Sequence, residues 1–449
     1  MKRFVIFLIL ASSFLLMGQL KISGIKPSKI TGYEPTKWDG VKTEIGGGTL
    51  PADTWSPTNA TLTLQDSVPV GGDYLNPEGT LIPNTNKVIV TYTDNDEDRQ
   101  LETFAIAGDS VGDVIDTWEI SADGDAGNTM RWSKVFSIDS NNRSRFAIVT
   151  IRTGQDLAGI HEDSCVIEIF TTNISNAGSI TKSRRDSLYI GFGVADQNDV
   201  GDLDAVQFND SLLVCMGRDN TGQVQYTGVV ATWDTIYTTQ DLYTATGTGL
   251  ANDLYAHVHK TRHDGGDSSA LWVAYSGNGD DGYLMFTYMS DQDTVVETHS
   301  TWEYNTGNGQ YPAIAHLPTT KFSTVLFYGT AVSLMRIFVV TGDTVDTDYV
   351  EDNQKGWSFQ KTRGRPDLLY IPNSDTLLYS AHKAGDTLFS VIHGIDESDS
   401  TLHQSFVDAD TLVSANKFDY PNIVYIREGQ FLVLSGGGTN GMKTLYEMD

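Results

Sequence analysis

Two cysteines in 449 residues are too few for a disulfide scaffold, and 12 prolines are too few for a proline-rich repeat. Basic residues are scarce as well: 30 Lys and Arg stand against 58 Asp and Glu, leaving a formal charge of −28. Nucleic acid and anionic lipid both require a basic footprint, so neither is an expected partner of so anionic a chain. After residue 16 no apolar run approaches the roughly 20 residues that span a bilayer as a helix. No window of helical length keeps a 3.6-residue period without a breaker. What the chain has in quantity is glycine, 43 residues, set in Asp/Gly/Asn/Ser clusters between short runs of Val, Ile, Thr, Tyr and Phe. With 39% hydrophobic residues this is a globular, all-β texture rather than a disordered one.

The first eighteen residues differ from the rest. Lys2 and Arg3 precede the apolar run 4–16, the arrangement of a secretory signal. Residues 1–18 are therefore expected to be a signal peptide cut after Gly18, with no membrane span in the mature chain. An uncleaved anchor is the alternative, because Leu16 is not the small residue preferred two positions before the cut. Residues 19–59, rich in Gly, Pro, Thr and Ser, read as an extended leader or linker. Cys165 and Cys215 carry no spacing pattern; they either bridge in an oxidising compartment or pack separately as small buried hydrophobes.

Internal repetition is the most informative feature. Three segments open alike: Tyr311-Pro312-Ala313-Ile314-Ala315-His316-Leu317-Pro318, Arg365-Pro366-Asp367-Leu368-Leu369-Tyr370-Ile371-Pro372 and Tyr420-Pro421-Asn422-Ile423-Val424-Tyr425-Ile426. A worn copy runs from Asn76-Pro77 to Leu81-Ile82-Pro83. Each leads into an apolar strand, a polar loop, a third strand and usually a fourth, with Pro expected at the head of the first strand. Less marked openings at 131–138, 203–208 and 254–260 begin similar sets. Seven units of about 50 residues with four strands each have the period and strand number of propeller blades. The last unit stops after its third strand, and the strand-like segment 60–70 is placed to supply the fourth. The expected fold is all-β: a seven-bladed β-propeller of four-stranded antiparallel blades over residues 60–449, its ring closed by an N-terminal strand. Such closure removes exposed sheet edges.

The openings, Tyr/Arg-Pro-x-Ile/Leu-x-His/Tyr-Ile/Leu-Pro before a Val/Leu-rich strand, resemble the β-propeller repeat proteins of bacterial surfaces and bacteriophage tails. More distantly they resemble the sialidase-type propellers. The resemblance covers about residues 76–448 and implies a rigid disc whose loops present a binding face; it does not say what is bound. The sialidase Asp-box, Ser-x-Asp-x-Gly-x-Thr-Trp, has its nearest match at 121–132, where the residue types keep their order but not their spacing. The resemblance would also supply an Arg cluster for a substrate carboxylate, with Arg131, Arg218 and Arg365 as candidates. Solvated or ion-paired loop arginines are the alternative.

Other motifs are weighed by context. Gly108-Asp109-Ser110-Val111-Gly112 matches a nucleophile elbow, but that chemistry needs a strand-to-helix turn, and here the pentapeptide falls between two strands. Asp94, Asp96 and Asp98 place three carboxylates at alternate loop positions, a donor set suited to Ca²⁺, although Ala105 stands where an EF-hand would have its closing Glu. The same alternative, a merely solvated acidic loop, applies to Asp123-Gly124-Asp125 and Asp280-Asp281. His257 and His259, followed by His263 and Asp264, could form a transition-metal site or simply pack between blades.

Alternating strand direction puts the loops joining second and third strands on the same face as the connections between blades. That face is expected to gather Arg218, Tyr304, Tyr311, Trp357 and Arg365, aromatic platforms with polar partners that suit sugars. The leading expectation is an exported, non-catalytic binding or adhesion module, extracellular, at the cell surface or periplasmic, for a surface glycan or surface protein. No cofactor is required by this reading beyond the candidate Ca²⁺. A glycoside hydrolase or polysaccharide lyase on the same scaffold is the alternative, and a virion tail-fibre or receptor-binding part a third. The acidic excess disfavours a strongly anionic glycan unless Ca²⁺ bridges it to the protein.

Overall fold

The computed structural model describes residues 60–448 apart from 95–97, 121–128, 139–143, 154–164, 193–203, 219–220, 233, 245–256, 263–268, 278–280, 290–294, 306, 308, 317–321, 329–332, 342–343, 352–365, 372–376, 385–386, 399–400, 414–418 and 437–439. The expected signal peptide and leader lie outside the described residues. Among those residues no helix is long and apolar enough to cross a membrane.

The strands, in chain order, are β1 (Leu62–Gly71); β2 (Leu75–Leu81), β3 (Lys87–Thr93), β4 (Arg99–Ala107) and β5 (Ser110–Glu119); β6 (Thr129–Ser137), β7 (Arg145–Thr153), β8 (Cys165–Asn173) and β9 (Ser187–Phe192); β10 (Asp204–Gln207), β11 (Leu212–Arg218), β12 (Val224–Ala231), β13 (Ile236–Thr238) and β14 (Tyr243–Thr244); β15 (His257–Arg262), β16 (Ser269–Ser276), β17 (Gly282–Met289) and β18 (Val295–Asn305); β19 (Gln310–His316), β20 (Phe322–Tyr328), β21 (Ser333–Thr341) and β22 (Thr344–Glu351); β23 (Asp367–Tyr370), β24 (Leu377–Ala384), β25 (Thr387–Ser398) and β26 (Thr401–Val413); β27 (Asp419–Arg427), β28 (Gln430–Gly436) and β29 (Asn440–Met448). From β2 to β26 each group is one sheet whose strands lie side by side in chain order. The outer strand of the β10 sheet is split, with β13 and β14 both pairing with β12. The last sheet has the order β1-β29-β28-β27, and β1 runs antiparallel to β29 from Leu62 opposite Met448 to Gly71 opposite Asn440. The molecule is an all-β β-propeller with four-stranded antiparallel blades.

Where side chains are described, the sheets are covered on both faces, which is why their middle strands read as continuous apolar runs rather than clean alternation. On β3, Val88 and Val90 join Leu432, Leu434 and Leu445 of the last sheet, whereas Ile89 faces Phe146, Ile148 and Phe170 of the next. On β28 the alternation is shared in the same way: Phe431 and Val433 pack with Tyr379, Leu388 and Ile392. Cys215 is a free, buried thiol among Ala147, Val149 and Ile169, so it packs as a small hydrophobe, and burial pushes its ionisation well up.

Three of the four opening prolines act differently from the expectation of a strand's first residue; Pro366 stands just before β23, whose pairing is regular. In β2, β19 and β27 they stand third, and the pairing register slips at Leu75/Glu78, Gln310/Ala313 and Asp419/Asn422. Pro has no N–H for the ladder, so each slip straddles it and regular pairing resumes at the next residue.

Two buried histidines give the fold a pH dependence. His382 stacks on Phe389 with ring centroids 5.4 Å apart, and His393 Nε2 lies 2.7 Å from Ser380 Oγ. Burial lowers His382 to about 4; burial, then the neighbouring His382, lowers His393 to about 3. The unfolded chain titrates these groups near 6.5, so it takes up protons first as pH falls, and their contribution is lost between about pH 6.5 and 3. Thermal melts from pH 7 to pH 4 are expected to show a falling midpoint, with a shallower slope for His382→Phe. Parallel slopes would contradict this assignment.

Candidate functional site

Strand alternation sends the sheet-to-sheet connections and the loops between second and third strands to one face. Contacts at the β15–β18 sheet bear this out. Tyr304 Oη, at the end of β18, donates to Gly309 O at 2.8 Å, and Ser276 Oγ, at the end of β16, donates to the same carbonyl at 3.2 Å. First strands, which line the centre of a propeller, begin at this face, and the residue after each opening proline lies just inside it.

Those residues are Glu78, Asp367 and Asn422. Asn422 Nδ2 donates to Glu78 Oε2 at 2.9 Å and to Asp367 Oδ2 at 3.3 Å. Its Oδ1 accepts Gly79 N at 3.0 Å, while Asp367 Oδ2 accepts Ile423 N at 2.7 Å. The same step is thus made twice: the side chain after the proline accepts the N–H of the following position in the next sheet. All three side chains are half-buried, held in place yet accessible. Behind Glu78, the fully buried Arg99 at the base of the β3–β4 loop is lowered by burial to about 9, with Glu78 pulling in the opposite direction. At neutral pH it remains a cation. In the β6 and β10 sheets the corresponding link is Lys134 Nζ to Asp204 Oδ1 at 2.6 Å, with Asp204 fully buried.

The residues expected to bind ligand are placed unevenly. Tyr304 is a correction: it is fully buried, and its ring occupies the space left by Gly282 and Gly309, where a Cβ would overlap it. It packs the loop base and offers no face for stacking. Arg218 closes β11 opposite Val224, and Tyr311 lies in β19. Trp357 and Arg365 lie outside the described residues. Nothing described brings these five together.

Of the acidic loop, Asp96 lies outside the described residues. Asp94 Oδ1 accepts Asp98 N at 3.1 Å and Asp94 Oδ2 accepts Gln100 Nε2 at 2.7 Å, so this carboxylate closes its own loop. Among the described residues no group of three or more His, Cys, Asp or Glu is arranged to hold a metal ion. Asp123, Asp125 and Asp280 lie outside them, as do His263 and Asp264; His257 and His259 belong to β15, opposite Ala274 and Trp272. Arg131 lies in β6. Gly108, with φ of 62°, and Asp109 form the hairpin turn from β4 to β5, which excludes an elbow. The buried Glu168 serves packing: it takes Arg184 and, at 3.1 Å, the Tyr189 hydroxyl, and Arg184 stacks 4.8 Å from the Phe170 centroid.

Glu78, Asp367 and Asn422 occupy the position read from sequence only as the variable residue of the opening. The available signal was that this position is polar in three of the four Pro openings. Asn422→Asp would replace two N–H donors with a third carboxylate. It is expected to cost about 2 kcal/mol at pH 7, with the deficit against wild type narrowing toward pH 4 as the cluster protonates. Melts superimposing on wild type at every pH would show that the amide does not hold these strands.

No protein-family model matches the chain, and no curated protein does. Solved structures to which it is similar include the polysaccharide lyase Uly1, at 10% identity over 86% of this chain and 99% of that one, TM-score 0.46. The K499G mutant of NanB sialidase from Streptococcus pneumoniae is similar at 10% identity over 84% of this chain and 68% of that one, TM-score 0.43. AofleA from Arthrobotrys oligospora is similar at 8% identity over 78% and 92%, TM-score 0.43. Similarities this low in identity and score carry no functional argument; the strand order itself makes the chain a β-propeller of four-stranded antiparallel blades.

Proposed function

We propose that the chain is an exported binding protein, a seven-bladed propeller closed by β1, whose connection face takes a neutral, hydroxyl-rich surface glycan. The blade number is supported by the sheet order and by the antiparallel register of β1 on β29. The observation that carries the binding reading is the Glu78–Asn422–Asp367 cluster, where hydrogen bonds between three first strands fix half-exposed polar groups before any ligand arrives. Fixed carboxylates accept hydroxyl donors well, and pre-organisation spares the ordering entropy that binding would otherwise cost. The same carboxylates on an anionic protein repel uronates and sulfated sugars.

One observation favours a glycoside hydrolase as second reading: Glu78 and Asp367 are two carboxylates close enough to share one amide nitrogen, and paired carboxylates are the working groups of that chemistry. The test is a panel of neutral and anionic polysaccharides, offered to chain 19–449 with and without a calcium chelator. Binding and released reducing ends are both measured. Selective binding of a neutral glycan without product is expected. It should survive chelation, since hydroxyl recognition by the cluster needs no cation, and weaken about tenfold in Glu78→Gln. Product release lost in Glu78→Gln would replace the binding reading with the hydrolase; a blank panel would remove glycans as the ligand.

A further inference from the structure

The seam between the β27–β28–β29 strands and the β2–β5 sheet joins parts of the chain more than 300 residues apart, and it holds a buried ion pair. Lys443 Nζ, on β29, donates to Glu102 Oε1 on β4, and both side chains are 5% exposed. The ammonium lies 4.1 Å from the centroid of the Phe104 ring, which lies in the same apolar seam as Tyr74 and Leu445. Tyr74 and Tyr92 stand beside it with ring centroids 4.4 Å apart, and Gly441 has no side chain because a Cβ there would overlap Tyr74.

A buried ion pair is a poor source of net stability, because removing both charges from water offsets their attraction. It is demanding about its partner, however: a seam that buries one charge without the other leaves it uncompensated in apolar surroundings. Apolar faces make no such demand. Val and Leu rows of similar blades pack on one another at modest cost, so a repeat protein can close on the wrong neighbour or exchange a terminal blade with a second copy. A second lysine–carboxylate pair across a described seam, Lys134–Asp204, with the acid buried and the lysine half-buried, joins first strands. Glu102 and Lys443 lie on third strands, so neither lysine reaches the other's acid.

We propose that the Glu102–Lys443 pair is a closure key: it selects the last sheet of the same chain as the neighbour of the first, fixing ring size and suppressing exchange between copies. This goes beyond the binding reading and does not depend on it. The full chain is unfolded in denaturant, refolded and separated by size with light-scattering detection, alongside Glu102→Gln, the apolar double variant Glu102→Leu/Lys443→Met and the charge swap Glu102→Lys/Lys443→Glu. The key predicts that the apolar double variant melts no lower than wild type yet yields about threefold more larger species. It also predicts that the charge swap returns wild type's distribution. A wild-type distribution from the apolar double variant overturns the proposal. Should that variant fail to refold, the charge swap decides: wild type's distribution supports the key, and the distribution of Glu102→Gln overturns it.

Discussion

A four-stranded sheet with apolar side chains on both faces cannot stand alone in water, and every feature of this molecule answers to that constraint. A blade covered on both faces is the cover for two others, so burial accrues only when neighbours dock in sequence. Val88 and Ile89, adjacent in β3, serve different seams. The stability of one blade is therefore inseparable from that of the next, as in other repeat architectures. The step from the last sheet to the first joins strands more than 300 residues apart. The pairing of β1 with β29 and the Lys443–Glu102 contact both fall there.

The same constraint produces the candidate site. In β2 and β27 a proline near the head of the strand removes one ladder hydrogen bond, the register slips, and pairing resumes at the next residue, Glu78 or Asn422. Asn422, after such a slip, and Asp367, which opens β23 in regular pairing just after Pro366, both accept N–H groups from the adjacent first strand. The residue after the proline thus carries oriented polar groups from one first strand to the next. On the proposed binding reading, anionic groups there, on a chain of net charge −28, would make the surface selective by what it repels as well as by what it holds.

Repetition made the blades legible in the sequence. The openings at 131–138, 203–208 and 254–260 correspond to β6, β10 and β15 although they lack the proline, because period and apolar run length survive its loss. Tyr304 was misplaced for a physical reason. A tyrosine in a loop reads as a platform, but Gly282 and Gly309 leave a space that only its ring fills, and glycine spacing does not announce what it accommodates. Glu78, Asp367 and Asn422 went unread because they occupy a repeat's variable position, where side-chain identity looks unconstrained until the neighbouring N–H groups are placed beside it. The Asp94 loop reads as a cation site from its charges alone; in the structure Asp94 accepts Asp98 N and Gln100 Nε2, and Asp96 lies outside the described residues.

The account stands or falls on the chain closing on itself. Residue-resolved hydrogen exchange of the folded protein tests this directly at Leu62–Gly71. Closure predicts that β1 amides bonded to β29 are protected to the same order as those of β28, which is buried along its length. Exchange of β1 at the rate of an unpaired strand, with β28 still protected, would contradict closure and leave the last sheet with an open edge.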